Sequence, residues 1–380
     1  MKTILGFAIG SLLAAVPFAS SMADVKIYGS VQAEYSNEDL DGQSAEQGVD
    51  DDFRTRIGFK AWEKLGNGMT AVTVLEFNAD STGDRNNGLR NRQLFVGLKH
   101  KKWGFLKAGT ISSPYKLLGG AKIDGFYDTA LQAAGAGGMS QAIGGAGNVN
   151  GNTNGLMSHD GFVESAISYR SPSWNNMTLH ALISPDEKVD GAVDNGVATP
   201  GADDGDDNDW VVGLTYRNGP IWAWIAHASN NVENQDDEVA TKIGAQMAVG
   251  AHSLAFQYEW IQDSASLNSG AGNVNGVSNF SSINAAATGG VGRVSTDGDI
   301  WFLGYQFKAG NNLFIMQLGG VDSEDRGALE GNDSDYFAIG MIHSFSKKTK
   351  IITGYSESDS NDVGTTDDRE VVSIALRKDF

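Results

Sequence analysis

The chain has 380 residues, with 28 Lys+Arg against 47 Asp+Glu and a formal net charge of −19. That balance argues against nucleic acid as a partner, because phosphate backbones call for a basic face. Cysteine is absent, which excludes disulfides, thiolate metal sites and cysteine nucleophiles.

The first residues set the compartment. Lys2 precedes an apolar stretch from Ile4 to Ala19, and Ser21-Met22-Ala23 follows. A positive start, a short apolar run and a small-x-small site predict a secretory signal peptide over 1–23, cleaved after Ala23. A membrane anchor is the alternative reading, but the run is short for a span of about 20 residues.

From Asp24 onward the chain is almost entirely alternation of period two. The predicted strands are 25–35, 53–62, 69–79, 91–100 and 104–110. After a glycine-rich interval come 162–170, 177–184, 210–217, 221–229, 239–249, 253–262, 299–309, 312–321, 335–345, 350–357 and 369–380, sixteen in all. Short connections such as 218–220, 250–252 and 346–349 take turns with long ones, the longest being 111–161. An even-stranded antiparallel barrel with short periplasmic turns and long outer loops has this rhythm; a soluble sandwich has no reason for it.

The faces agree. Leu254, Phe256, Tyr258 and Trp260 alternate with Ser253, Ala255, Gln257 and Glu259, so one side is apolar and the other takes charge. In lipid every backbone polar group must be paired, which favours a closed sheet around a polar lumen. Trp62, Trp103, Trp174 and Trp222 lie near short turns, and Trp210, Trp260 and Trp301 near long loops, as two interfacial belts would be. Acidic runs such as Asp50-Asp51-Asp52, Asp203-Asp204 and Asp236-Asp237-Glu238 fall in long loops, while Lys64, Lys101-Lys102 and Lys347-Lys348 fall in short turns. Such loops are candidates for divalent cations shared with lipopolysaccharide, or for concentrating cations at a pore mouth.

Together, "DVKIYGSVQAEY", "RTRIGFKAWEKLGNG", "RNRQLFVGLKHKKWGFLKAGTISSPYK" and the terminal Phe380 resemble the trimeric general diffusion porins of Gram-negative outer membranes. The run from Arg54 to Lys116 carries the most specific part of the likeness. The resemblance implies a sixteen-stranded transmembrane β-barrel over 24–380 with an inward-folded third loop, here 111–161, narrowing the pore. It implies a homotrimer, with the stretch 80–90 as a latch to the neighbouring subunit. It places Arg56 and Arg92 on the wall, with Arg54 and Arg90 two residues earlier, and matches Glu76 to an inward acid. Asp124 and Asp128 are the nearest candidates for the facing loop acids, and Lys116 and Lys122 lie on the same loop. The Pro-Glu-Phe-Gly-Gly motif of many enterobacterial members is absent. The sixth strand has no arginine at the matching wall position, with Glu164 nearby instead.

Arginine suits such a wall because its charge is fixed and its planar donors can be held in ladders. Arg54, Thr55 and Arg56 read as inward, outward, inward, with the guanidiniums about 7 Å apart along a strand. Facing acids then set up a transverse field of the kind that defines selectivity. The function expected is passive diffusion of small hydrophilic solutes and ions, mildly favouring cations. A substrate-selective porin with a site at the third loop, and a barrel-anchored adhesin or receptor, are the alternatives.

Nothing points to bond-making chemistry or to a cofactor. Six histidines are scattered without ligand spacing, and "GAGNVNG", at 145–151 and again at 270–276, reads as loop filler. At the other end, Phe380 shares its parity with Val372, Ile374 and Leu376, so it is expected to face lipid at the periplasmic rim while its strand pairs with 25–35. By resemblance, the terminal aromatic is also the address read by the outer-membrane assembly machinery.

Overall fold

The computed structural model describes residues 24–40, 44–52, 54–82, 89–134, 138–140, 157, 159, 162–185, 193–194, 197–198, 208–230, 237–264, 296–323, 333–360 and 368–380. The predicted signal peptide, residues 83–88 of the expected latch, both "GAGNVNG" copies and several acidic runs lie outside them. Among the described residues, the strands are β1 (Asp24–Leu40), β2 (Glu46–Asp50), β3 (Arg56–Gly66), β4 (Met69–Ala79), β5 (Leu89–His100) and β6 (Gly104–Ile111). Then come β7 (Val163–Arg170), β8 (Met177–Ser184), the two-residue β9 (Val193–Asp194) and β10 (Val197–Ala198), β11 (Asp209–Asn218), β12 (Ile221–Asn230) and β13 (Glu238–Val249). The remainder are β14 (His252–Ser264), β15 (Thr296–Ala309), β16 (Asn312–Ser323), β17 (Ser334–Ser344), β18 (Thr349–Ser360) and β19 (Arg369–Asp379).

Consecutive strands of the main sheet pair antiparallel, except that β2 and β3 both pair with β1, and β1 pairs with β19 to close the ring. β2 and β3 share one position, because β3 pairs with the first half of β1 and β2 with its second half. The wall is therefore a closed sixteen-stranded antiparallel β-barrel, with the β9–β10 hairpin separate. Closure leaves no open edge, which a lipid environment would penalise by several kcal/mol per unpaired group. No described helix is long and apolar enough to cross a membrane.

The two faces are sorted by parity. On β14, Leu254, Phe256 and Trp260 are exposed outward, while Ala255, Gln257, Glu259 and Ile261 are buried inward. On β19, Val372, Ile374 and Leu376 face out, and Arg369, Val371, Ser373, Ala375 and Arg377 face in. Apolar side chains thus cover the lipid side, and the buried core lies inside the barrel. It is built by Tyr115, Leu118, Ile123, Phe126 and Leu131 of the interval after β6 packing against the wall.

Four expectations change in detail. The second strand begins at Arg56, not Phe53, because β2 occupies the upper part of β1 and Arg54 N–H donates back to Asp51 O at 2.8 Å. The stretch 91–100 is not one uninterrupted alternation. The register passes from Leu75–Leu94 to Phe77–Asn91, so an extra residue bulges from β5 opposite Glu76. That bulge lets Arg92 face inward above it and Phe95 and Gly97 face inward below it. Trp222 is not part of an interfacial belt: it is buried on the lumenal face beside Trp224, whereas Trp103, Trp174, Trp210, Trp260 and Trp301 are exposed outward. Asp51 is not a free loop acid either. It is buried, and its carboxylate accepts from the N–H and hydroxyl of Ser81.

The closing seam runs from Ser30–Asp379 to Leu40–Arg369, five residues further along β1 than expected. Phe380 lies outward and its N–H donates to Gly29 O at 3.0 Å. A Cβ on Gly29 would come within 2.5 Å of the Phe380 ring, so the glycine is what lets the last aromatic lie flat on the first strand.

Candidate pore constriction

After β6 the chain turns into the lumen instead of out to solvent. Ser113 caps a single helical turn, α1 (Pro114–Leu117), its hydroxyl accepting from Tyr115 N–H at 2.9 Å. Gly119 and Gly120 follow with φ of +71° and +46°. A Cβ on Gly119 would meet Trp224 at 2.4 Å, and one on Gly120 would meet His159 at 2.0 Å. Only glycine supplies both that backbone and that approach. The Gly120 N–H is then fixed by Gln257 Oε1 at 2.9 Å.

One end of the segment is anchored to β13 and β14. Tyr115 and Ser140 hydroxyls both donate to Glu259 Oε2 at 2.8 Å. His159 contacts Ser140 O through Nδ1 at 2.8 Å, while its Nε2 faces Lys242 Nζ at 2.9 Å and Gln257 Nε2 at 3.2 Å. Two donors at Nε2 and a carbonyl at Nδ1 fit the neutral Nδ1–H tautomer. Burial also lowers the pKa of His159 to about 4, against the opposing pull of Glu259 and with further help from Lys242. No feature of the scattered histidines marked this cluster in the sequence, since its members come from three distant segments.

The segment then crosses to the opposite wall. Asp124 accepts from Phe126 N–H, Ala133 N–H and Gln317 Nε2, all at 2.8 to 2.9 Å. It therefore shapes the loop and ties it to the wall at Gln317. Asp128 meets the arginines. Its Oδ2 takes Arg54 Nη1 at 2.9 Å and Arg56 Nη2 at 2.5 Å. Its backbone sits at φ +59°, in the left-handed region that Asp tolerates better than most residues. Burial would raise the Asp128 pKa, but the charges of Arg56, Arg54, Arg92 and Arg377 outweigh it and hold the carboxyl well below the usual range.

Arg54 and Arg56 thus converge on one oxygen and are not ranked along a strand. Thr55 between them is buried, bonded to Gln32 and Ser81, and does not face outward. Arg92 is tied to the wall, with Nε on Glu76 Oε1 at 2.9 Å and Nη1 on Asn78 at 2.9 Å, and Tyr28 donates to the second Glu76 oxygen at 3.0 Å. Arg90 is half-buried at the start of β5, opposite Asn78. Lys116 is buried with its ammonium 4.2 Å from the Phe162 ring, whose other contact is the Arg92 guanidinium at 4.7 Å. Lys122 is exposed and has no ion pair among the described residues.

Arg377 and Arg369 complete the wall and were not singled out in the sequence. Arg377 donates to Gln32 Oε1 at 2.6 Å and to Asp128 O at 3.0 Å. Arg369 pairs with Glu38 at 3.2 Å and reaches Ala130 O at 3.3 Å. Their signal was available: both sit on the inward parity of the last strand, which closes beside the first and so beside Arg56.

A closed sixteen-stranded antiparallel sheet, apolar outside, with a charged loop laid across its lumen, is a transmembrane β-barrel pore. The chain belongs to the Gram-negative porin family, whose model matches residues 10–363, and is an outer-membrane protein. Major outer membrane protein P.IB of Neisseria gonorrhoeae is 44% identical to it over 118 residues. That match covers 29% of this chain and spans about a third, 33%, of the relative. Among solved structures, the anion-selective porin from Comamonas acidovorans has a TM-score of 0.68 at 15% identity, covering 94% of this chain and all (100%) of that one. OmpT of Vibrio cholerae, in a trimer form, has a TM-score of 0.57 at 12% identity, covering 95% of this chain and 100% of its own. At such identities the structural likeness is one of fold.

Proposed function

We propose that the protein is a passive, water-filled channel for small hydrophilic solutes and ions, narrowed by the segment 111–161. The observation that carries this reading is the contact of Asp128 with Arg54 and Arg56, which pins the loop to one side of the lumen. Lys122, on the same segment, is exposed. Acid on loop and arginine on wall supply opposed charges at one level of the pore.

Selectivity is divided between the two ends. The net charge of −19 lies largely in the outer connections and favours cations at that mouth. Below the loop, Lys26, Lys60 and Lys99 line a recess of about 810 Å³ with no carboxylate among its described lining residues. The whole-pore preference is therefore small, with a cationic sign set by the outer mouth. Zero-current potentials in a tenfold KCl gradient test this: a potential of cation-selective sign well short of the ideal ~59 mV per decade agrees with it, and one of anion-selective sign contradicts it.

The working unit is a homotrimer, a reading supported by the family and by the trimer form of the Vibrio cholerae neighbour. Acidic outer loops take up divalent cations shared with lipopolysaccharide, and Phe380 is read by the assembly machinery. Migration of unheated protein as monomer alone would overturn the trimer.

A further inference from the structure

Below the loop, at the short-turn end, lies a second cavity of about 390 Å³. Its roof is Leu117 and Leu118 of the inward segment, and its floor reaches the β5–β6 and β7–β8 turns. The register explains its chemistry. Lys99 on β5 pairs with Phe105, Phe105 with Arg170, and Arg170 with His180, so three basic side chains fall in one row across four strands. Adjacent strands are about 4.8 Å apart, so the row brings these groups within reach of one solute. Arg217 enters from β11, its guanidinium 4.1 Å from the Trp222 ring, and Lys107 stands two residues above Phe105 on the same face. Thr178 and Thr215, opposite each other on β8 and β11, add hydroxyls.

Among the described residues, no aspartate or glutamate lines this cavity. Lys99, Lys107, Arg170 and Arg217 have no ion pair among the described residues. The contrast with the constriction is the informative point. There Arg54, Arg56, Arg92 and Arg369 each have a carboxylate, and Arg377 is held by Gln32 Oε1 and Asp128 O, in the same lumen and one loop away. Like charges gathered without a counter-ion repel one another, and the repulsion is relieved when an anion enters.

We propose that this cavity is an anion-binding subsite on the periplasmic side of the pore, selective for tetrahedral dianions of the phosphate class. Two guanidinium forks, ammonium groups and hydroxyls match oxygens arranged on several sides of a centre better than they match a spherical halide. Several converging positive charges favour a dianion over a monoanion. The volume suits a small phosphorylated solute as well as free phosphate. Arg170 and Arg217 are the residues that touch the anion, and Trp222 holds Arg217 in place. The proposal rests on the channel reading for access to the cavity, and on the cavity itself for binding.

Two measurements with inorganic phosphate separate the claims. The first is phosphorus NMR line broadening on the purified, folded protein in detergent, which needs no conduction. Saturable broadening, reversed by sulfate and not by equimolar chloride, is expected; absence of saturation overturns the subsite. The second is phosphate block of chloride current in planar bilayers, with phosphate on the periplasmic side. An Arg170→Gln/Arg217→Gln variant that still conducts should need at least tenfold more phosphate for half-block, and Arg170→Lys should recover part of the difference. Equal block of wild type and double variant overturns the assignment to these residues. Phosphate binding without any conductance overturns the channel and leaves the subsite standing.

Discussion

Replacing Asp128 with asparagine keeps the shape of the loop and removes one charge at its contact with the wall. The carboxylate is 5% exposed and meets two guanidiniums at 2.9 and 2.5 Å. Hydrogen bonds to charged groups are worth about 1.5–3 kcal/mol each, roughly twice neutral ones. Losing the charge while keeping an amide oxygen should therefore weaken loop docking by about 2–3 kcal/mol. The same change removes one negative charge from beside Arg54 and Arg56, with Asp379 still 3.8 Å from Arg54. At about 8 Å in water, one unit charge alters the energy of a passing monovalent ion by ~0.5 kcal/mol before screening, and by less at one Debye length. Summed over opposite effects on anion and cation, the permeability ratio should move about threefold toward anions. On a scale of 59 mV per decade, that is a shift of about 20 mV in a tenfold KCl gradient. Planar-bilayer recording reads it directly. A potential unchanged within a few millivolts, from a variant that still inserts and conducts, would refute the placement of Asp128 at the narrowest level.

Other expectations follow from the same contacts. Gly120→Val drives a side chain into His159 from a backbone at φ +46°, so the loop should undock and single-channel conductance rise; an unchanged channel would mean the loop is held elsewhere. His159, lowered to about 4 when docked, would titrate near 6.5 when released. Between those values the released loop holds more protons, so docking weakens as pH falls from about 6.5 to 4, by up to ~3 kcal/mol. Protection factors for amide exchange over 113–134, taken against the intrinsic rate at each pH, should fall across that window, and pH-independent protection factors would remove His159 from the anchor. Deleting Phe380 should impair insertion more than conductance, and normal surface levels of the deletion would argue against its role as an address.

Much of the barrel was readable because period two is enforced twice, by lipid outside and by polar lumen inside. Leu254 to Trp260 could alternate in no other way and remain in a wall. The rhythm of short and long connections then fixed the strand number. What escaped was local. The bulge opposite Glu76 leaves no compositional mark, yet it decides which way Arg92 points. Thr55 looked outward only because the strand was started three residues early, where β2 in fact takes the partner. Trp222 has the same letter as the belt tryptophans and differs only in parity. The resemblance supplied Arg54, Arg56, Arg92, Glu76 and Asp128, all of which meet in the lumen. It also supplied Asp124, which accepts from two loop N–H groups and from Gln317 of the wall. Arg377, Arg369 and the His159–Glu259–Lys242 cluster depend on contacts between residues far apart in sequence, which only closure of the barrel and folding of the loop bring together.

The central claim is that this barrel conducts. Purified protein added to a planar lipid bilayer in 1 M KCl should produce discrete, ohmic current steps, grouped in threes as the three pores of a trimer insert together. Folded protein that inserts, migrates as a barrel on an unheated gel and yet passes no current would contradict the account at its root.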